Sequence, residues 1–162
     1  MLERSTHSAA VVTVSDRSAR GERADTSGPL AVAALRGAGF ACDEALVVPD
    51  GADHVEAALR ALVAGGVRVV VTTGGTGVAP RDQTPEGTLR VIDRELPGIA
   101  EELRRRGAQA KPLALVSRGR AGVAASTLIV NLPGSTSGVA EGMPLITSLA
   151  GHIIDQLDGG DH

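Results

Sequence analysis

Two carboxylates, Asp50 and Asp82, carry the first chemistry that this sequence suggests. Each follows a short apolar run that reads as a buried strand, Ala45 to Val48 for the first and Val67 to Val71 for the second. Asp50 sits in the turn sequence Pro49-Asp50-Gly51. Asp82 closes a glycine-rich loop that begins Thr72-Thr73-Gly74-Gly75-Thr76-Gly77. Either Asp alone is explained by local turn bonding, which favours that residue type. Together, at adjacent strand ends beside a glycine loop, they match a pair that holds Mg2+ against phosphate oxygens. The loop's glycines let the backbone pass close to a ligand. Its N–H groups, with a helix dipole behind them, favour phosphate. That helix is announced by Thr84-Pro85-Glu86, with Thr84 as N-cap, Pro85 at the first helical position and an acid in the first turn. The loop is not a Walker A loop, because no Gly-Lys-Ser/Thr follows, and its glycine spacing is not that of a dinucleotide fingerprint.

Three further segments carry polar residues after apolar runs. Ser15 and Asp16 follow the first run, where Asp16 could bind a ribose hydroxyl or a second metal, or could cap its own loop. Ser117-Arg118 offers a hydroxyl and a planar fork suited to an anion, or a solvated arginine at a strand end. Asn131-Leu132-Pro133-Gly134 could read an adenine edge or position backbone N–H groups. It could equally be a strand-to-helix turn capped by Ser135, Thr136 or Ser137. There is no Ser-His-Asp or Cys-His arrangement, so covalent catalysis is not supported.

The elements that must position these groups alternate between strand and helix. Strands are expected at Ala10–Val14, Ala45–Val48, Val67–Val71, Leu113–Val116 and Thr127–Leu132. Pro29 to Ala38 reads as a helix ending at Gly39, with Leu30, Ala34 and Leu35 inward. Asp53 to Ala64 is clearly amphipathic, with Val55, Ala58, Leu59, Leu62 and Val63 on one stripe and Asp53 with Glu56 as a capping box. Thr84 to Leu96 is expected to be helical, broken at Pro97-Gly98 and resumed to Arg106. Ser137 to Leu157 is expected to be a last helix kinked near Pro144, followed by a frayed tail. Such alternation predicts an α/β fold, a mostly parallel sheet covered on both faces. Ligands of these sheets bind beyond the carboxyl ends of the strands, where every polar segment above is expected.

Composition narrows the partners. The 162 residues suit a single domain, structured from about residue 8 to 157. Phe40 is the only aromatic residue, which argues against base-stacking nucleic-acid modules. A net charge of −3 supplies no basic field, and Arg104-Arg105-Arg106, the only basic cluster, reads as a helix C-terminal cap. Cys42 stands alone, and His7, His54, His152 and His162 lack ligand spacing, so neither an intramolecular disulfide nor a structural zinc site is expected. No apolar run is long enough to span a bilayer, and no signal-peptide pattern opens the chain, which makes the cytoplasm the expected compartment.

Read together, the motifs resemble a known family. Thr73-Gly74-Gly75-Thr76-Gly77 with Arg81-Asp82-x-Thr84-Pro85-Glu86, then Ser117-Arg118-x-x-Ala121-Gly122, then Thr127-Leu128-Ile129-x-Asn131-Leu132-Pro133-Gly134 closely resemble the Mog/MoaB molybdenum-cofactor proteins, relatives of the plant Cnx and gephyrin G domains. The resemblance runs from the first strand to the final helix. It implies a three-layer α/β/α fold, a homotrimer, and adenylation of molybdopterin by ATP with release of pyrophosphate. It implies that Asp50 and Asp82 are the catalytic, metal-associated carboxylates. Gly74, Gly75, Thr76 and Gly77, with Asn131, Pro133 and Gly134, would form the nucleotide site, and Ser117 and Arg118 part of the pterin-phosphate side. A hand-off of product to a molybdotransferase belongs to the same implication. The alternative readings are a non-catalytic molybdopterin-binding protein and an oligomeric scaffold. Some relatives carry a Ser-Leu pair before the fourth strand. Here that region is Gly107-Ala108-Gln109-Ala110-Lys111-Pro112, and Lys111 is the only lysine.

Overall fold

The computed structural model describes residues 6–160. The first five residues and the last two, His162 among them, lie outside that range. β1 (Ser8–Val14) leads through the single turn α1 (Asp16–Ala19) into α2 (Ser27–Gly37). β2 (Ala41–Cys42) and β3 (Leu46–Val48) lead into α3 (Ala52–Ala64), and β4 (Val69–Thr73) into α4 (Thr84–Leu89). β5 (Arg94–Glu95), α5 (Pro97–Ala110) and a 3-10 helix at Pro112–Val116 follow. The chain closes with β6 (Ala121–Ala124), β7 (Thr127–Leu132) and α6 (Thr136–Leu157).

The sheet order is β2-β1-β4-β7-β6-β5, with β3 continuing the β2 edge along β1. β1, β2, β3, β4 and β7 are parallel, whereas β6 runs antiparallel to both β7 and β5. Every residue of β4 and β7 is buried, as expected for strands covered on both faces. Alternation along the strands divides the core in two. Val11, Val69, Val71 and Val130 pack with Val32 and Leu35 of α2 and Val139, Ile146 and Ile154 of α6. Val12, Val70 and Ile129 pack on the other face with Val55 and Leu59 of α3. The three-layer α/β/α arrangement is therefore present.

Several local expectations are corrected. Leu113–Val116 is a 3-10 helix, not a strand. Leu113 and Leu115 are 76% and 61% exposed, which a strand buried on both faces would not allow. The missing strand is β6, whose short run of small residues carries little pattern. The helix expected to Leu96 stops at Leu89, and the chain then forms β5 before Pro97 starts α5. Leu30 of α2 is exposed rather than inward, while Leu35 is fully buried. Asp53 and Glu56 form no capping box. Both pair with Arg90, and Gly51 is the cap of α3. The arginine cluster lies inside α5. Arg105 and Arg106 pair with Glu102, holding its carboxyl down at about 2, and Arg104 donates to the carbonyls of Ser117 and Gly119. α6 runs from Thr136 to Leu157 as one helix with Pro144 inside it, in keeping with the single last helix expected. Asp158, just past its end, is held by a bidentate bond from Arg68, at 3.3 and 2.8 Å.

The helices that follow the two carboxylate loops touch closely. A methyl group on Gly87 of α4 would lie 2.7 Å from the Ala52 carbonyl oxygen and 2.8 Å from Val55 Cβ of α3. Gly87→Ala is expected to cost roughly 1–3 kcal/mol through overpacking, read as a lowered midpoint in urea unfolding. An unchanged midpoint would show that α3 and α4 separate freely.

Candidate active site

Strand register assembles the site. Thr13 of β1, Thr73 of β4 and Leu132 of β7 lie side by side, so the chain leaves three adjacent parallel strands at one level. Immediately beyond them come Ser15-Asp16, Gly74-Gly75 and Pro133-Gly134. β3 adds Asp50 from the edge: its Val48 pairs with Val14, and the Val48 carbonyl accepts the Ser15 N–H at 2.9 Å. The loop after β4 is held by the two strands beside it. Gly74 N–H donates to Leu132 O at 3.0 Å, and a methyl group on Gly74 would sit 2.4 Å from Val14 O. Gly74 and Gly75 have φ of 92° and 68°, the left-handed region that glycine enters without strain. A methyl group on Gly75 would meet Thr84 Oγ1 at 2.2 Å and Asp50 Oδ1 at 3.3 Å.

A polar cavity of about 430 Å³ opens at this level. Asp50 and Asp82 both line it, with Ser15, Thr73, Gly74, Gly75 and Gly134. Asp82 Oδ2 accepts the Ala79 N–H at 3.1 Å, and Asp50 Oδ2 accepts the Asp16 N–H at 2.9 Å. Among the described residues neither carboxylate has an ion-pair partner. Burial pushes the Asp50 carboxyl above its ordinary range, and the charges of Asp16 and Asp82 push it the same way. No cluster of three or more His, Cys, Asp or Glu groups able to hold an ion occurs among the described residues. Two carboxylates are nonetheless the usual protein share of a Mg2+ site completed by phosphate oxygens and water. The desolvated Asp50 carboxylate, with the Asp82 charge acting on it, fits that ion.

A second cavity, about 260 Å³ and mostly apolar, lies beside the first and shares Ser135 with it. Ser117, Asn131 and Pro133 line it, together with Leu103, Lys111 and Leu113.

Five residues are already bound to partners within the fold. Arg118 is no free anion fork. Its guanidinium donates to Gly77 O at 2.8 Å and Asp82 O at 2.7 Å and pairs with Glu86, whose carboxyl it lowers. With its own N–H on Thr76 O at 2.8 Å, Arg118 clamps the whole glycine loop. Ser117-Arg118 still reaches the site although it follows no strand, because β6 is antiparallel and starts beside the end of β7. Asn131 does not offer its amide to an adenine. The group is buried, donates to Thr72 and Thr88 hydroxyls at 2.9 Å each, and accepts the Arg120 N–H at 3.0 Å. Asp16 is occupied by Arg81 rather than open to a ribose, and Ser15 Oγ caps α1 through the Ser18 N–H. Thr84 is not the N-cap of α4, whose cap is Gln83. Its hydroxyl donates to Gly74 O at 2.8 Å and so fastens the loop to the helix.

The family described as probable molybdopterin binding domain matches residues 10–151. The chain belongs to this family. It is 38% identical over 147 residues to the molybdenum cofactor synthesis protein cinnamon of Drosophila melanogaster, which covers 89% of this chain but 24% of that protein. It is 38% identical over 149 residues to a molybdopterin adenylyltransferase of Pyrococcus furiosus, covering 89% and 87% of the two chains. A molybdopterin biosynthesis protein structure from Mycobacterium abscessus superimposes with a TM-score of 0.89 at 47% identity, covering 94% of this chain and 97% of that one. The chain spans between 24% and 49% of the length of cinnamon and of two bifunctional cofactor-biosynthesis proteins that it also matches.

Within this family member the sequence reading passed over part of the polar cavity. Asp25, Thr26 and Ser27 line it at the start of α2. Asp25 Oδ1 accepts the Gly28 N–H at 3.0 Å and its Oδ2 accepts the Thr13 hydroxyl at 2.7 Å, while Ser27 Oγ donates to Gly134 O at 2.6 Å. The signal was present as Asp-Thr-Ser-Gly-Pro, a helix-start pattern that overlaps the start of the helix expected from Pro29.

Two substitutions separate pinning residues from poised ones. Asn131→Ala strands buried donors and acceptors and is expected to cost roughly 2–3 kcal/mol in urea unfolding. Asp50→Asn keeps an acceptor for the Asp16 N–H but removes a desolvated charge, so the melting temperature is expected to rise by about 3 °C at neutral pH. The charge penalty exists only while the Asp50 carboxyl is ionised, so that gain fades as pH falls through its raised range. A lower melting temperature for Asp50→Asn would mean that the carboxylate stabilises the ligand-free fold.

Proposed function

We propose that this chain is a molybdopterin adenylyltransferase acting in molybdenum cofactor biosynthesis. The observation that carries the reading is the placement of Asp50 and Asp82, with no ion-pair partner among the described residues, on one cavity walled by Gly74, Gly75 and Gly134. The names and coverage of the relatives support the same reading. The reaction transfers the adenylyl group of ATP. An oxygen of the terminal phosphate of molybdopterin forms a bond to the α-phosphorus, the bond to the bridging oxygen breaks, and pyrophosphate leaves.

The polar cavity suits the triphosphate, and the adjoining apolar cavity with Lys111 suits a flat heterocycle. Mg2+ held by Asp50 and Asp82 would neutralise charge on the phosphate oxygens. The protein's own contribution is placement. Gly74 and Gly75 line the cavity and would leave room for the phosphates beside them, and the carboxylates fix where positive charge can sit. No general base is required, since a phosphate monoester, with its second pKa of about 6, is already largely ionised at neutral pH. The proposal extends to a homotrimer in the cytoplasm that passes product to a molybdotransferase. The exposed Leu113, Leu115 and Val116 offer one apolar surface for association.

The test is pyrophosphate release from ATP and molybdopterin. Release is expected to require Mg2+ and to fall at least about 100-fold in Asp82→Asn and in Asp50→Asn at saturating ATP. Full turnover in Asp82→Asn would remove its role. Tight molybdopterin binding without any release would make the chain a non-catalytic binder.

A further inference from the structure

The proposed chemistry uses Asp50 and Asp82 but leaves unused an ion pair on the rim between them. Arg81 donates through Nε to Asp16 Oδ2 at 2.9 Å and through Nη2 to Asp16 Oδ1 at 2.9 Å. The same Nη2 reaches the Asp50 carbonyl oxygen at 3.1 Å. Asp16 and Asp50 in turn exchange bonds. The Asp16 N–H donates to Asp50 Oδ2 at 2.9 Å, and the Asp50 N–H donates to Asp16 Oδ1 at 3.1 Å. The result is a closed ring joining the ends of β1 and β3 to the loop after β4.

This ring is not explained by stability. Arg81 is 64% exposed and Asp16 25%, and exposed pairs contribute little to folding. Its position is more telling. Arg81 is the chain neighbour of Asp82, so one dipeptide presents one carboxylate and grips the backbone that presents the other. Bidentate geometry makes that grip directional, which a lysine could not reproduce.

We infer that Arg81 and Asp16 form a strap whose task is to fix Asp50 relative to Asp82, making both positioning residues for the cation between the two carboxylates. The inference rests on the reading of Asp50 and Asp82 as a cation-holding pair. It assigns Asp16 a role through its neighbour rather than contact with a ribose or with a metal of its own. Outer groups that orient metal-holding residues typically matter by about 10–100-fold in affinity or activity.

The experiment is a double-mutant cycle on the full chain with Arg81→Gln, Asp16→Asn and the combination. Mn2+ binding is measured by electron paramagnetic resonance in the presence of a non-hydrolysable ATP analogue, and pyrophosphate release is followed alongside. Each single variant is expected to weaken Mn2+ binding about 10-fold, and the double variant to be no weaker than the worse single one. Arg81→Lys, which keeps the charge but loses the fork, is expected to recover less than half of the loss on a logarithmic scale. Release is expected to fall through kcat, with KM for ATP little changed. Wild-type Mn2+ affinity in the single variants, additive losses in the double variant, or full recovery by Arg81→Lys would each overturn the strap. So would absence of Mn2+ binding by the wild-type chain. Strap-dependent Mn2+ binding without pyrophosphate release in the wild type would keep the strap and overturn adenylation.

Discussion

Thr13, Thr73 and Leu132 stand in one row across β1, β4 and β7, and the loops that carry the polar groups hang from that row. Parallel hydrogen bonding alone does not choose this register. The side chains choose it, because a slip of one residue would exchange Val70 and Val71 between two separate cores. Backbone contacts beyond the row then lock it. Gly74 fits between the Val14 carbonyl and Gly134 with no space for a side chain, and its N–H is already bonded to Leu132. Packing of the core and assembly of the site are therefore one event. The same register that buries the valines delivers Ser15, Gly74 and Pro133 to one level.

What the row delivers is a pocket with an unmet electrostatic need. Two of the arginines close by are spent on the frame, while Arg23 lines the cavity itself. Arg118 holds the carbonyls of Gly77 and Asp82, and Arg81 holds Asp16 and the Asp50 carbonyl. Neither forms an ion pair with the cavity carboxylates, and burial makes the Asp50 charge costly. A site built this way favours a cation that arrives with its ligand over one built into the fold. This is the arrangement expected where a nucleotide brings its own metal.

Much of this was legible in the sequence, for identifiable reasons. Gly74 and Gly75 were visible because positive φ admits few other residues, and Asp50 and Asp82 because each stands in a polar loop after an apolar run. The α3 stripe of Val55, Ala58 and Leu59 was visible because helical spacing is local. The failures are non-local. Nothing near Arg118 reveals that it reaches Gly77 O across 41 residues of sequence, or that Asn131 is consumed by Thr72 and Thr88. β5 and β6 are two and four residues long, too short for alternation to register. Leu113–Val116 misled because an apolar run was taken as buried when it lies on the surface.

The central claim is that Asp50, Asp82 and the Gly74–Gly77 loop form one phosphate and cation site. A crystal structure with Mg2+ and a non-hydrolysable ATP analogue tests it most directly. The account predicts phosphates against the Gly74–Gly77 backbone, with the cation bridging them to Asp50 and Asp82. Phosphates bound elsewhere, or a cation held away from both carboxylates, would contradict it.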